Sequence, residues 1–178
     1  MGYFYGVMVK ELNIQSLIST LPVMPVNWWN MHVTLVYIGT KRPSQDTEAK
    51  VKASVTSIPC FRVKLGQLIL LPNLVKPRVL AVEVIDNGWL SKLRSIMLSA
   101  LRDSGVLVDD EYLGSFKPHI TIAYIKSKRI DADMLLESAR ELGIEDELMG
   151  KFILVNNVSL ILAKGGNYTE ISRHELQC

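Results

Sequence analysis

The chain has 178 residues, 48% of them hydrophobic, and a formal net charge of +2. That length fits one domain, or one domain of two similar halves, and the apolar content excludes a disordered chain. The weak basic bias admits an anionic ligand but is not the dense positive field of a general nucleic-acid coat.

No apolar run reaches the length of a membrane span, and the opening MGYFYGVMVKE lacks a signal-peptide pattern. Gly6 stands where a myristoylation signal needs Ser or Thr. The two cysteines, Cys60 and Cys178, make neither a disulfide framework nor a metal spacing, which fits a reducing compartment. The expectation is a cytoplasmic protein without membrane contact.

Tyr3 to Lys10 is aromatic and branched and reads as a strand; Leu12 to Leu21 follows as a helix ended by Pro22 and Pro25. The loop PVNWWNM precedes a strand from His32 to Ile38, closed by Gly39. PSQDTEAKVKASVTSI is a surface helix capped by Ser44. FRVKLGQLILL and RVLAVEVI are strands separated by the turn-prone PNLVKP. From Trp89, the stripe Leu90, Leu93, Met97, Leu98 and Leu101 makes a helix that stops near Gly105. The loop VDDEYLGSFKP, whose acidic DDE reads as solvated, leads into a strand from His119 to Ile125. A helix begins near Asp131, with Met134, Leu135, Ala139 and Leu142 on one face. KFILVNNVSLILA and YTEISRHEL close the chain as two strands around the turn KGGN, a hairpin. No linker divides this order, so residues 1–178 read as a single α+β domain of two pseudo-repeated lobes.

Two of the three histidines open nearly the same phrase, HVTLVYI at His32 and HITIAYI at His119. Alternation along a strand puts His32 and Thr34 on one face and Val33, Leu35 and Tyr37 on the other. It likewise puts His119 and Thr121 opposite Ile120, Ile122 and Tyr124. A lone strand histidine is ordinarily structural, and a strand threonine reflects β-propensity. Packing, however, gives no reason for an imidazole on both copies. A histidine titrates near neutrality, so one copy serves as base and the other as acid on opposite sides of a phosphorus centre. The threonine hydroxyls would hold the non-bridging oxygens.

Such a site needs no metal or other cofactor. Two histidines without a third ligand at fixed spacing make a poor zinc site. No nucleophile elbow or phosphate-cradling glycine loop is present.

These motifs resemble the 2H phosphoesterase superfamily, named for its two His-x-Thr/Ser motifs, and within it the RNA 2′,3′-cyclic phosphodiesterases, or 2′-5′ RNA ligase-like proteins. The resemblance runs through MHVTLVYIG, LLPNLVKPRVLAVEV, FKPHITIAYIK and VSLILAKGGNYTEISRHEL, the last with a Gly-x-x-Tyr-like turn. It implies a bilobal pseudo-twofold fold, two antiparallel sheets forming a central groove with helices outside. It also implies catalysis by His32, Thr34, His119 and Thr121 without metal, and opening of RNA 2′,3′-cyclic phosphate ends to 2′-phosphomonoesters. Some members also join or cleave 2′-5′ linkages. The implied partner is an RNA end or another nucleotide phosphodiester, and a monomer is expected.

Two positions depart from the family pattern. Tyr124 stands where many members carry Arg, so phosphate neutralisation either comes from elsewhere, such as Lys117, Lys126 or Arg129, or is weaker, and Thr40 follows Gly39 where Glu is common. Trp29, Lys117 and Tyr124 are the substrate-binding candidates. Trp28 and Trp29, if extended, face opposite ways, so at most one is exposed to stack a base. His174 lies outside the repeat and reads as structural. Two other readings keep the motifs: action on 2′-5′ oligoadenylate or cyclic oligonucleotide signals, and a non-catalytic RNA-end binding module.

Overall fold

The computed structural model describes residues 1–178. Its strands are β1 (Gly2–Met8), β2 (Met24–Pro25), β3 (His32–Gly39), β4 (Phe61–Leu71), β5 (Val79–Ile85), β6 (His119–Tyr124), β7 (Phe152–Val155), β8 (Asn157–Lys164) and β9 (Asn167–Glu175). The helices are α1 (Gln15–Ile18), α2 (Gln45–Val55), α3 (Trp89–Asp103), α4 (Ala132–Glu141) and α5 (Ile144–Leu148). No helix is long and apolar enough to cross a membrane.

The strands form one antiparallel sheet in the order β7-β4-β5-β6-β3-β1-β8-β9, with β2 added to β6. Outward from the β6–β3 seam, β6-β5-β4-β7 mirrors β3-β1-β8-β9, so each motif strand is the innermost strand of its own lobe. The two expected sheets are these lobes, made continuous by one pairing, Val33 with Ile120. Helices α2 and α3 pack on each other and on the β3 lobe, and α4 and α5 pack on β4. One face of the curled sheet therefore buries the apolar core and the other stays open.

Local signals explain most boundaries. The Ser44 hydroxyl accepts from the Thr47 N–H at 3.2 Å and starts α2; the Asp131 carboxylate does the same for Met134 at 3.0 Å and starts α4. At α3, the Asp86 carboxylate gathers the N–H groups of Gly88, Leu90 and Ser91. The β8–β9 hairpin turns on Gly165 and Gly166, both with positive φ (60° and 81°), the geometry of a tight two-residue turn.

Several expectations are corrected. The first helix keeps only four residues, because turns replace it before Pro22. KFILVNNVSLILA is two strands broken at Asn156: β7 pairs with β4, and β8 pairs with β1 and β9 in the other lobe. Both strands satisfy the same apolar alternation, so only the partners reveal the break. In α4, Leu135 and Ala139 are buried while Met134 is 65% exposed. Cys60 and Cys178 are joined by a disulfide with Cα atoms 5.0 Å apart, although 118 positions separate them. Backbone bonds from Cys60 N–H to Gln177 O and from Gln177 N–H to Ile58 O lay the C-terminal tail against the start of β4 and bring the thiols together.

The DDE loop is not wholly solvated. The Asp110 side chain is buried and pairs with buried Arg94 of α3 at 3.0 Å. Arg94 also donates to the carbonyls of Leu35 and Tyr112 and lies over the Phe116 ring. This pair fixes the segment that leads into His119.

Candidate active site

Because β3 and β6 are antiparallel and Val33 faces Ile120, His32 stands across the seam from Thr121 and Thr34 from His119. Val33 and Ile120 point into the core, 2% and 0% exposed, which turns all four polar side chains onto the open face. The strands then diverge: β6 takes β2 as its partner through Ala123 and Tyr124, while β3 runs on along β1. His32, Thr34, His119 and Thr121 are each half-buried in the resulting groove.

Each motif strand carries a bulge at the same place. Tyr5 pairs with Val36 and Gly6 with Thr34, leaving Leu35 extra; Leu80 pairs with Ala123 and Ala81 with Thr121, leaving Ile122 extra. The freed carbonyls are used elsewhere, Leu35 O by the Arg94 guanidinium and Ile122 O by the Val26 N–H at 2.9 Å. A bulge resets the alternation. Tyr37 and Tyr124, expected behind the motifs, instead come round to the histidine face and are half-buried.

The two imidazoles are held alike. His32 Nδ1 lies 2.7 Å from the Asn30 carbonyl, and His119 Nδ1 lies 2.7 Å from the Lys117 carbonyl. A carbonyl only accepts, so Nδ1 carries the proton in both and Nε2 is left for the groove. Their surroundings differ. The His32 ring lies against Tyr168 (centroids 4.5 Å) and Phe4 (4.9 Å), and Tyr168 meets Phe4 edge-on. This burial pushes the His32 pKa from 6.5 down to about 4; the Asn30 carbonyl opposes the shift and His119 adds to it. His32 is thus neutral near pH 7.

Tyr168 was not evident as a site residue from local pattern. It sits in the outermost strand of its lobe and reaches His32 only because the β8–β9 hairpin curls over the groove; its one trace in the sequence is the Gly-x-x-Tyr-like turn. Its hydroxyl lies 2.8 Å from that of Tyr124, tying the two lobes together. Burial and this hydrogen bond push the Tyr168 pKa up, so the phenol stays protonated. One hydroxyl of the pair donates to the other, which leaves a single O–H proton for a groove ligand.

Trp28 and Trp29 are both exposed, 43% and 48%, because they lie in a 3-10 turn (Trp28–Asn30) rather than an extended segment, which corrects the expectation of one. Lys117 is exposed beside His119, and Lys126 and Arg129 lie in the exposed turn after β6. His174 is buried, and neither ring nitrogen has a hydrogen-bond partner; burial pushes its pKa down, as suits a neutral structural ring.

A curled antiparallel sheet whose two His-x-Thr strands meet at one seam is the architecture of a 2H phosphoesterase. The crystal structure of TT0787 of Thermus thermophilus shares it, with a TM-score of 0.73 at 21% identity over 99% of this chain and 98% of that one. E. coli LigT complexed with 3′-AMP does so with a TM-score of 0.63 at 20% identity, covering 98% and 97%. The 2′-5′ RNA ligase superfamily model matches residues 11–151, and the chain belongs to that family. It is similar to the RNA 2′,3′-cyclic phosphodiesterase of Aeropyrum pernix (31% identity, 69% of this chain and 68% of that one) and to that of Bacillus subtilis (27%, 68% and 69%).

Proposed function

We propose that this chain opens RNA 2′,3′-cyclic phosphate ends to 2′-phosphomonoesters by acid–base catalysis between His32 and His119, without a metal ion. The observation that carries the reading is the mirrored tetrad: two imidazoles, each anchored through Nδ1 by the carbonyl two residues before it, each facing a threonine across one seam. The cyclic phosphodiesterase activity for which the Aeropyrum and Bacillus relatives are named, and the 3′-AMP in LigT, support a nucleotide phosphodiester as substrate.

His32, neutral through burial, is the base. Its Nε2 takes a proton from water while the water oxygen bonds to phosphorus. The P–O3′ bond breaks in line, and His119, entering the cycle as the imidazolium, gives its Nε2 proton to the leaving 3′ oxygen. The products are a 2′-phosphate and a 3′-hydroxyl, and the two ring protons exchange back through solvent. Thr34 and Thr121 donate to the non-bridging oxygens, assisted by the free O–H of the Tyr124–Tyr168 pair and the charge of Lys117. The negative phosphate raises the His32 pKa from its resting value, bringing it nearer the working pH once substrate is bound. Trp29 offers a face for a base.

The test is turnover in EDTA of an RNA oligonucleotide ending in a 2′,3′-cyclic phosphate. Loss of at least ~100-fold in both His32→Ala and His119→Ala, with the fold intact, is expected from removal of a general acid or base. Retained activity in either variant overturns the mechanism. Activity that appears only with added zinc or magnesium does the same, and cleavage confined to 2′-5′ oligoadenylate or cyclic dinucleotides overturns the substrate.

A further inference from the structure

The groove does not end at His119. In the register of the sheet, His119 lies opposite Glu83, Ile85 opposite Lys64, Lys64 opposite Phe152 and Arg62 opposite Leu154. Opposed residues share a face, so these side chains continue the open histidine face across β5, β4 and β7. The intervening Val63, Val84 and Ile153 are buried on the other side. The result is a sheet surface contiguous with the site, carrying Phe152 (60% exposed), Leu154 and Ile85 beside Lys64 and Arg62. By strand and residue spacing, Phe152 is about 16 Å from His119.

Charge tells which chain would lie here. The five ion pairs of the protein use other residues, so Lys64 and Arg62 are free to meet an anion. Glu83, the acid of this face, holds its carboxylate over Gly66, where a Cβ would fall 2.6 Å from its oxygen, between the site and the two cations. The mirror face on β9 is different. Glu170 accepts from Ser159 at 2.6 Å, and Arg173 is matched by Glu175 at 2.9 Å, leaving an acidic excess. A polyanion leaving the seam is drawn to the β7 side and repelled from the β9 side. Exposed aromatic and aliphatic side chains alternating with cations on a sheet suit unstacked bases and their phosphates.

Resting on the activity proposed above, we propose that the open face of β5, β4 and β7 is a track for single-stranded RNA 5′ of the reacting end. A base stacks on Phe152, and Lys64 and Arg62 meet the backbone phosphates. The enzyme then prefers an oligonucleotide end to a free nucleoside 2′,3′-cyclic phosphate.

The experiment compares kcat/KM for a nucleoside 2′,3′-cyclic monophosphate and for a pentanucleotide with the same terminal nucleotide. For Phe152→Ala, a loss of about tenfold on the pentanucleotide, carried by KM, is expected from one lost base–aromatic stack, with the mononucleotide unchanged. Lys64→Gln with Arg62→Gln should weaken the pentanucleotide alone and flatten its salt dependence. Equal loss on both substrates, or no loss on either, overturns the track. If the wild-type chain turns over neither substrate, the proposed activity fails by itself. Fluorescence anisotropy of a labelled pentanucleotide ending in a 2′-phosphate then decides the track: weaker binding by Phe152→Ala supports it and unchanged binding overturns it. A concentration-dependent dimer abolished by Phe152→Ala assigns the face to a second copy and overturns the RNA track.

Discussion

Replacing Tyr168 with Ala is expected to raise the pKa of His32. Burial lowers that pKa from 6.5 to about 4, a preference for the neutral ring of about 3 kcal/mol. Two rings supply the close cover, Tyr168 at 4.5 Å and Phe4 at 4.9 Å. With the cover shared evenly, losing one ring returns about one pKa unit, roughly 1.4 kcal/mol. The assay is an NMR titration of the His32 ring proton. The midpoint should lie near 4 in the wild type and at about 5 in Tyr168→Ala. Tyr168→Phe keeps the ring and should keep the wild-type midpoint, which separates cover from the hydrogen bond to Tyr124.

The same shift has a signed effect on stability. The folded pKa lies below the unfolded one, so the neutral ring's advantage is complete above pH 6.5 and is lost as pH falls through 4. Urea unfolding between those limits should show a fall in stability that is shallower in Tyr168→Ala. His174, whose pKa burial also lowers, adds to the fall in both proteins and cancels in the comparison. A wild-type midpoint near 6.5, or a midpoint unmoved by Tyr168→Ala, refutes the reasoning.

Asp110→Ala strands the Arg94 charge in the interior, which costs about 3–5 kcal/mol. At roughly 2–4 °C per kcal/mol for a chain of this size, calorimetry should show a drop in Tm of about 10 °C. Cys178→Ser opens the 118-residue span closed by the disulfide. It should lower Tm under non-oxidising conditions no further than reductant lowers the wild type, and turnover should not change, because the tail lies at the start of β4, away from the seam. Ser44→Ala removes the α2 cap and should destabilise by about 1 kcal/mol in urea titration.

Local chemistry written in the sequence determined a great deal. The Ser44 and Asp131 caps, the double-glycine turn and the α3 stripe are short-range features, legible because their partners lie within a few positions. The two His-x-Thr phrases were legible for a related reason, since duplication repeats a functional pattern inside one chain. Long-range pairing was not legible. Alternation is the same whichever neighbour a strand has, so KFILVNNVSLILA could not disclose that it changes lobes at Asn156. Nor could it disclose that Phe152 and Leu154 extend the histidine face. A bulge leaves no mark in composition, and two of them return Tyr37 and Tyr124 to the groove. The burial of Arg94 with Asp110, the meeting of Cys60 with Cys178 and the closing of Tyr168 over His32 all join positions distant in the chain. The sequence determined which groups are present for acid–base chemistry. The curl of the sheet decided that one imidazole is covered by two aromatic rings and the other is not, because burial depends on what the rest of the chain brings against a residue.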